Sequence, residues 1–109
     1  MDQRVNETIQ VPEERPVPDD AGIAYINGEF MPMSEARVPV NDFGFSRSDV
    51  TYDVAHVWDG QFFRLDDHLD RFITAVEGTR LTLPFGKDQL RETLLDLVAR
   101  SGLREAYVD

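Results

Sequence analysis

A chain of 109 residues and 12.5 kDa has room for one hydrophobic core and not for two. With 41% hydrophobic and 29% charged residues, a mean hydropathy of -0.38 and no long apolar run, it reads as a globular domain and excludes a membrane span. The net charge of -10 disfavours nucleic acid and anionic lipid as partners, and zero cysteines exclude disulfides, thiolate metal sites and cysteine nucleophiles.

Residues 1–21 hold three of the six prolines and six acidic against two basic side chains, without apolar periodicity. Such a stretch buries too little surface to offset its ordering entropy, so it is expected to be an acidic, proline-rich tail. Its start lacks the basic and apolar regions of a signal peptide, and a cytoplasmic location is the expectation. The domain is expected over residues 22–109.

Ile23 to Ile26 reads as a strand, Asn27-Gly28 as a two-residue hairpin turn, and Glu29 to Met33 as the return strand. Ala36 to Val40 is short and extended, with Pro39 confining it to an edge or loop, and Asn41 to Phe45 makes a turn. From Tyr52 to Trp58 the residue types alternate, which predicts a strand with Tyr52, Val54, His56 and Trp58 on one face and Asp53, Ala55 and Val57 on the other. Asp59-Gly60 supplies a second hairpin turn, and Gln61 to Leu65 pairs back.

Asp66 or Asp67 is the expected cap of a helix carrying Leu69, Phe72, Ile73 and Val76 at helical spacing, with Gly78 near its end. A second helix is expected to open with Asp88 as its cap, to run Leu90, Leu94, Leu97 and Val98 along one face and to stop at Gly102. Glu105 to Asp109 reads as the opening of a strand with no partner in view. The order of elements predicts an α+β fold, a small antiparallel sheet with two amphipathic helices.

Four sets of residues bear on chemistry. Arg71, on the first long helix, offers a planar fork suited to phosphate or carboxylate; the alternatives are an ion pair with Asp67 one turn back or an exposed, snorkelling arginine. Tyr52, His56 and Trp58 share a strand face, which serves either as a pocket wall with polar tips or as a core face. Asp66, Asp67, His68 and Asp70 resemble a metal cluster only in composition, because consecutive helical residues diverge and acids in a first turn already suit the helix dipole; no metal site is expected. Lys87, the only lysine, is read as part of a polar loop beside a helix start, without the desolvated or cationic setting that a nucleophilic lysine needs, so it is read as a surface residue. Sequence signatures for a serine hydrolase elbow, a P-loop and a dinucleotide-binding turn are missing.

Taken together, Tyr25-Ile26-Asn27-Gly28, the run Asp42 to Val54, Trp58-Asp59-Gly60 and Phe63 to Arg71 resemble the N-terminal domain of the class IV (fold type IV) pyridoxal-phosphate aminotransferases. The resemblance covers residues 22–109. Branched-chain and D-amino-acid members tend to carry glycines where Ser48 and Val50 stand, so the segment leans towards the (R)-selective amine transaminases. In that subgroup a histidine is common at the position of Arg47, and an arginine there would favour a carboxylated substrate.

The resemblance implies a transferase moving an amino group from an amine or amino acid to a keto acid, with pyridoxal 5'-phosphate as cofactor and a homodimer as the working form. It assigns Arg71 to the cofactor phosphate, and Tyr52, Val54 and Arg47 to the substrate pocket. In the family the catalytic lysine lies in a following larger domain, so this chain is expected to be truncated before that domain, to hold no catalytic residue and to be inactive by itself. The competing expectation is a non-enzymatic α+β module that binds a protein partner or a small anion.

Overall fold

A computed structural model describes residues 22–109. The expected tail therefore lies outside the described residues. Strand β1 (Ile23–Ile26) and β2 (Glu29–Pro32) pair antiparallel, with Tyr25 opposite Phe30 and their rings 4.8 Å apart. Asn27 and Gly28 both adopt positive φ, 53° and 85°, as the tight turn between twisted strands demands.

A single 3-10 turn, Met33–Glu35, ends the hairpin, and residues 36–39 run without regular structure. The turn expected at Asn41 to Phe45 instead leads into a short helix, α1 (Phe43–Arg47). Its cause is local: the Asp42 carboxylate accepts the Gly44 N–H at 2.8 Å and caps the first turn.

A three-stranded antiparallel sheet of order β4-β3-β5 follows, built from β3 (Ala55–Trp58), β4 (Gln61–Phe62) and β5 (Ala106–Val108). Strand β3 is shorter than the Tyr52 to Trp58 alternation suggests, and residues 51–54 precede it as irregular chain. Asp59-Gly60 makes the β3–β4 turn, as read from the dipeptide. The return strand stops at Phe62, two residues before Arg64 takes a left-handed φ of 53° that redirects the chain into a helix.

The C-terminal segment does have a partner. Val108 sits opposite Ala55 and Ala106 opposite Val57, so β5 closes the free edge of β3.

The two long helices are α2 (Leu65–Gly78) and α3 (Lys87–Ser101). Leu69 and Val76 are buried and Phe72 and Ile73 half-buried, as their spacing predicts. Neither Asp66 nor Asp67 caps α2, because the cap position is Arg64 and both acids fall within the first turn. Asp88 likewise lies inside α3, after a cap at Gly86. These carboxylates are drawn into ion pairs instead: Arg91 reaches Asp66 at 2.6 Å and Asp88 at 2.9 Å, and Lys87 Nζ lies 2.7 Å from Asp70, so two of the three tie α2 to α3. Helix α3 ends at Gly102, whose φ of 70° suits glycine. Arg100 on its last turn lies over the Phe30 ring at 4.2 Å, which joins the helix to the first hairpin.

Among the described residues the buried apolar core is Ala55, Val57, Leu69, Val76 and Val108. It occupies the face of β3 opposite to the aromatic one. Trp58 is 68% exposed, so reading its face of β3 as core is corrected, and Tyr52, 71% exposed, lies in the irregular residues before the strand. The aromatic face bears the His56 and Tyr107 rings stacked 4.9 Å apart across the β3–β5 pair.

Candidate active site

The irregular residues before β3 deliver Asp53 to the flank of α2, where it meets Arg71 and His68. Arg71 Nε donates to Asp53 Oδ2 at 2.6 Å and Nη2 donates to Oδ1 at 2.8 Å, a two-bond fork. His68 Nδ1 lies 2.8 Å from the same Oδ1 and 3.2 Å from Arg71 Nη2. One ring nitrogen cannot donate to the carboxylate and accept from the guanidinium at once. The shorter contact to an ionised acceptor decides it: Nδ1–H donates to Asp53, and the Arg71 contact is only close approach.

Asp53 thus accepts three hydrogen bonds on a side chain that is 11% exposed. The Arg71 hydrogen bond, opposed by burial and seconded by His68, holds its carboxyl far below the usual carboxylate range. The same pairing raises the Arg71 guanidinium above its ordinary value. The ion pair considered for Arg71 with Asp67 is replaced, since Asp67 pairs with Arg64 at 2.8 Å. Asp66, Asp67, His68 and Asp70 each serve a different partner, as their divergence along the helix requires.

Two clefts flank this cluster. One, about 320 Å³, is walled by apolar side chains of α2, α3, β3 and β5, among them Leu69, Phe72 and Leu94, and is edged by Tyr52, Asp53 and His68. The other, about 260 Å³, is lined by Phe63, Arg64, Asp67, His68 and Arg71. Arg71 lies on the polar cleft with its side chain 68% exposed. Tyr52 edges the apolar one. Val54, 38% exposed, lines neither, and Arg47 lies at the end of α1 with its guanidinium 4.2 Å over the Phe43 ring. Lys87 is the first residue of α3, not part of a loop, and is held by Asp70.

Asp53 and His68 were not among the site residues read from the sequence. The available signal was the alternation itself, which placed an acid on the same face as Ala55 and Val57.

Residues 51–109 match the family model described as amino-transferase class IV. The chain belongs to the class IV aminotransferases. Within this family it is 30% identical over 83 residues to a D-alanine aminotransferase of Listeria monocytogenes, covering 76% of this chain and 29% of that protein. It is 29% identical over 84 residues to a putative branched-chain-amino-acid aminotransferase of Methanocaldococcus jannaschii, covering 77% of this chain and 29% of the relative. The crystal structure of a T.th. branched-chain amino acid aminotransferase, complexed with N-(5'-phosphopyridoxyl)-L-glutamate, superposes with a TM-score of 0.73 at 27% identity over 80% of this chain and 30% of that one. The α+β fold is accordingly that of fold type IV aminotransferases. The class IV chain described here spans about three-tenths of the length of these relatives.

Proposed function

We propose that this chain supplies the phosphate-binding side of a pyridoxal-phosphate-dependent transaminase, which moves an amino group from an amine or amino acid to a keto acid. The observation that carries the proposal is Arg71. Its Nε–Nη2 edge is held by Asp53, while among the described residues Nη1 has no hydrogen-bond partner and the side chain is exposed beside a polar cleft. A guanidinium presented in this way suits a phosphate ester, so the donor set fits the cofactor. When bound, the cofactor supplies the carbonyl and the electron-withdrawing ring that amino transfer uses. Arg71 anchors the phosphate, and Tyr52, with Val54 and Arg47 nearby in sequence, forms part of the substrate wall.

The narrower assignment is to the (R)-selective amine transaminases, on the strength of Ser48 and Val50. Ser48 adopts a φ of 60°, the left-handed region that favours glycine, so the serine departs from the residue this backbone prefers. Large apolar side chains left exposed, including Phe45, Val40 and Tyr107, support a working form in which a second copy or further chain covers them, and we assign a homodimer.

The test is Arg71→Ala in the complete protein. Loss of a charge-assisted phosphate contact is expected to weaken pyridoxal phosphate binding by about tenfold or more. Unchanged affinity refutes the assignment. Because Lys87 is committed to its ion pair with Asp70, it is assigned no part in the chemistry, and the 109-residue chain is expected to give no amino transfer above free cofactor. Robust turnover lost in Lys87→Ala would overturn that.

A further inference from the structure

An arginine has two edges that can grip an oxyanion, the side edge of Nε and Nη2 and the end edge of Nη1 and Nη2. In this chain the side edge is taken by Asp53, through both carboxylate oxygens. Asp53 is itself restrained by the His68 Nδ1–H and by its low exposure. Arg71 is otherwise exposed on a helix surface, where a long side chain samples many rotamers unless something holds it.

We infer that Asp53 is the positioning residue of this site, fixing the side edge of Arg71 so that the end edge faces the polar cleft as a two-donor fork for the cofactor phosphate. The inference rests on the transaminase reading above. It deepens that reading by assigning a carboxylate to an anion site, where charge alone would disfavour one. Asp53 repels a phosphate through space and helps it through geometry, and the two effects carry opposite signs. Near a surface the Coulomb repulsion is weakened by solvent, and Arg71 lies between the two anions. Ordering the guanidinium beforehand removes a cost that binding would otherwise meet. Geometry therefore prevails, and removing the negative charge weakens binding of an anion.

His68 is the second layer of the same arrangement. With Nδ1–H donated to Asp53, the carboxylate plane is fixed along with the guanidinium plane it faces. The cluster spans the irregular residues before β3 and the first two turns of α2, so it is assembled by tertiary structure and not by helix geometry alone.

The experiment measures the affinities of the complete apoprotein for pyridoxal 5'-phosphate and for pyridoxal, which lacks the phosphate. Wild type, Arg71→Ala, Asp53→Asn and Asp53→Glu are compared. Asp53→Asn keeps side-chain size but replaces one acceptor oxygen by a donor that opposes the guanidinium. It is expected to lower the preference for the phosphorylated ligand by about threefold to tenfold, the scale of ordering one long side chain. Asp53→Glu, which keeps the two-oxygen fork, is expected to recover part of that loss.

Tighter phosphate binding by Asp53→Asn, with Arg71→Ala weakened, overturns the positioning role while leaving the proposed function standing. Equal losses for both ligands, or equal losses in the Asn and Glu variants, also overturn it, since either marks a merely structural residue. An Arg71→Ala protein with unaltered preference removes the transaminase reading and the inference with it. The wild type gives an independent measurement that needs no Asp53 variant: the Arg71 Nε–H is expected to exchange slowly with solvent both without and with cofactor, and fast exchange in the apoprotein overturns the clamp.

Discussion

Placing the core on the Ala55–Val57 face of β3 makes a quantitative claim, tested by comparing two adjacent residues. Val57 is completely buried on the central strand, paired with Phe62 on one side and Ala106 on the other. Val57→Ala removes two methyl groups, about 1.6 kcal/mol at about 0.8 kcal/mol for each. Because β3 is pinned by both neighbours it has little freedom to collapse into the space, and the cavity brings the expected cost to about 2 to 3 kcal/mol. The next residue, Trp58, is 68% exposed, and Trp58→Ala is expected to change stability by about 0.5 kcal/mol or less despite removing a far larger side chain. Urea unfolding of the 109-residue chain followed by far-ultraviolet circular dichroism reads both, with the slope unchanged between variants. A larger loss for Trp58→Ala than for Val57→Ala would show that the aromatic face is the core after all.

The remaining expectations concern a helix end and a charge. Gly102→Ala forces a side chain into the left-handed region at the end of α3 and is expected to cost about 1 kcal/mol in the same assay, although an added methyl group meets no neighbour there. No loss would mean that α3 ends differently. Asp53 has its carboxyl lowered chiefly by the Arg71 hydrogen bond, so its contribution to stability is present above the unfolded carboxylate value of about 3.9 and is lost as pH falls below it towards the folded value. Unfolding midpoints are therefore expected to fall below about pH 4 and to fall less steeply in Asp53→Asn; identical acid slopes would refute the coupling.

What was legible in the sequence was whatever a few consecutive residues decide. Asn27-Gly28 and Asp59-Gly60 specify turns by their tolerance of positive φ, and Leu69, Phe72, Ile73 and Val76 mark the inner side of α2 by spacing alone. Helix starts were less legible, because Asp66 and Asp88 have the chemistry of caps but are engaged by Arg91 from across the helix pair or one turn along. The partner of β5 lies some fifty residues back in the chain, and no local pattern records such a pairing.

Strand β3 is the instructive case. Alternation separates its two faces but does not say which is inside, and side-chain size points to Tyr52, His56 and Trp58. The buried face proves to be the one with small side chains, which also carries Asp53 just upstream. A carboxylate left only 11% exposed next to core residues needs cationic or donor partners, since burying it alone is costly. Such partners had to come from an element covering that face, and α2, with Leu69 and Val76 turned inward, offers both a histidine and an arginine one turn apart. Asp53 was thus the most informative residue of the Tyr52 to Trp58 alternation, because its charge conflicts with its place in the pattern and the conflict is resolved by Arg71 together with His68.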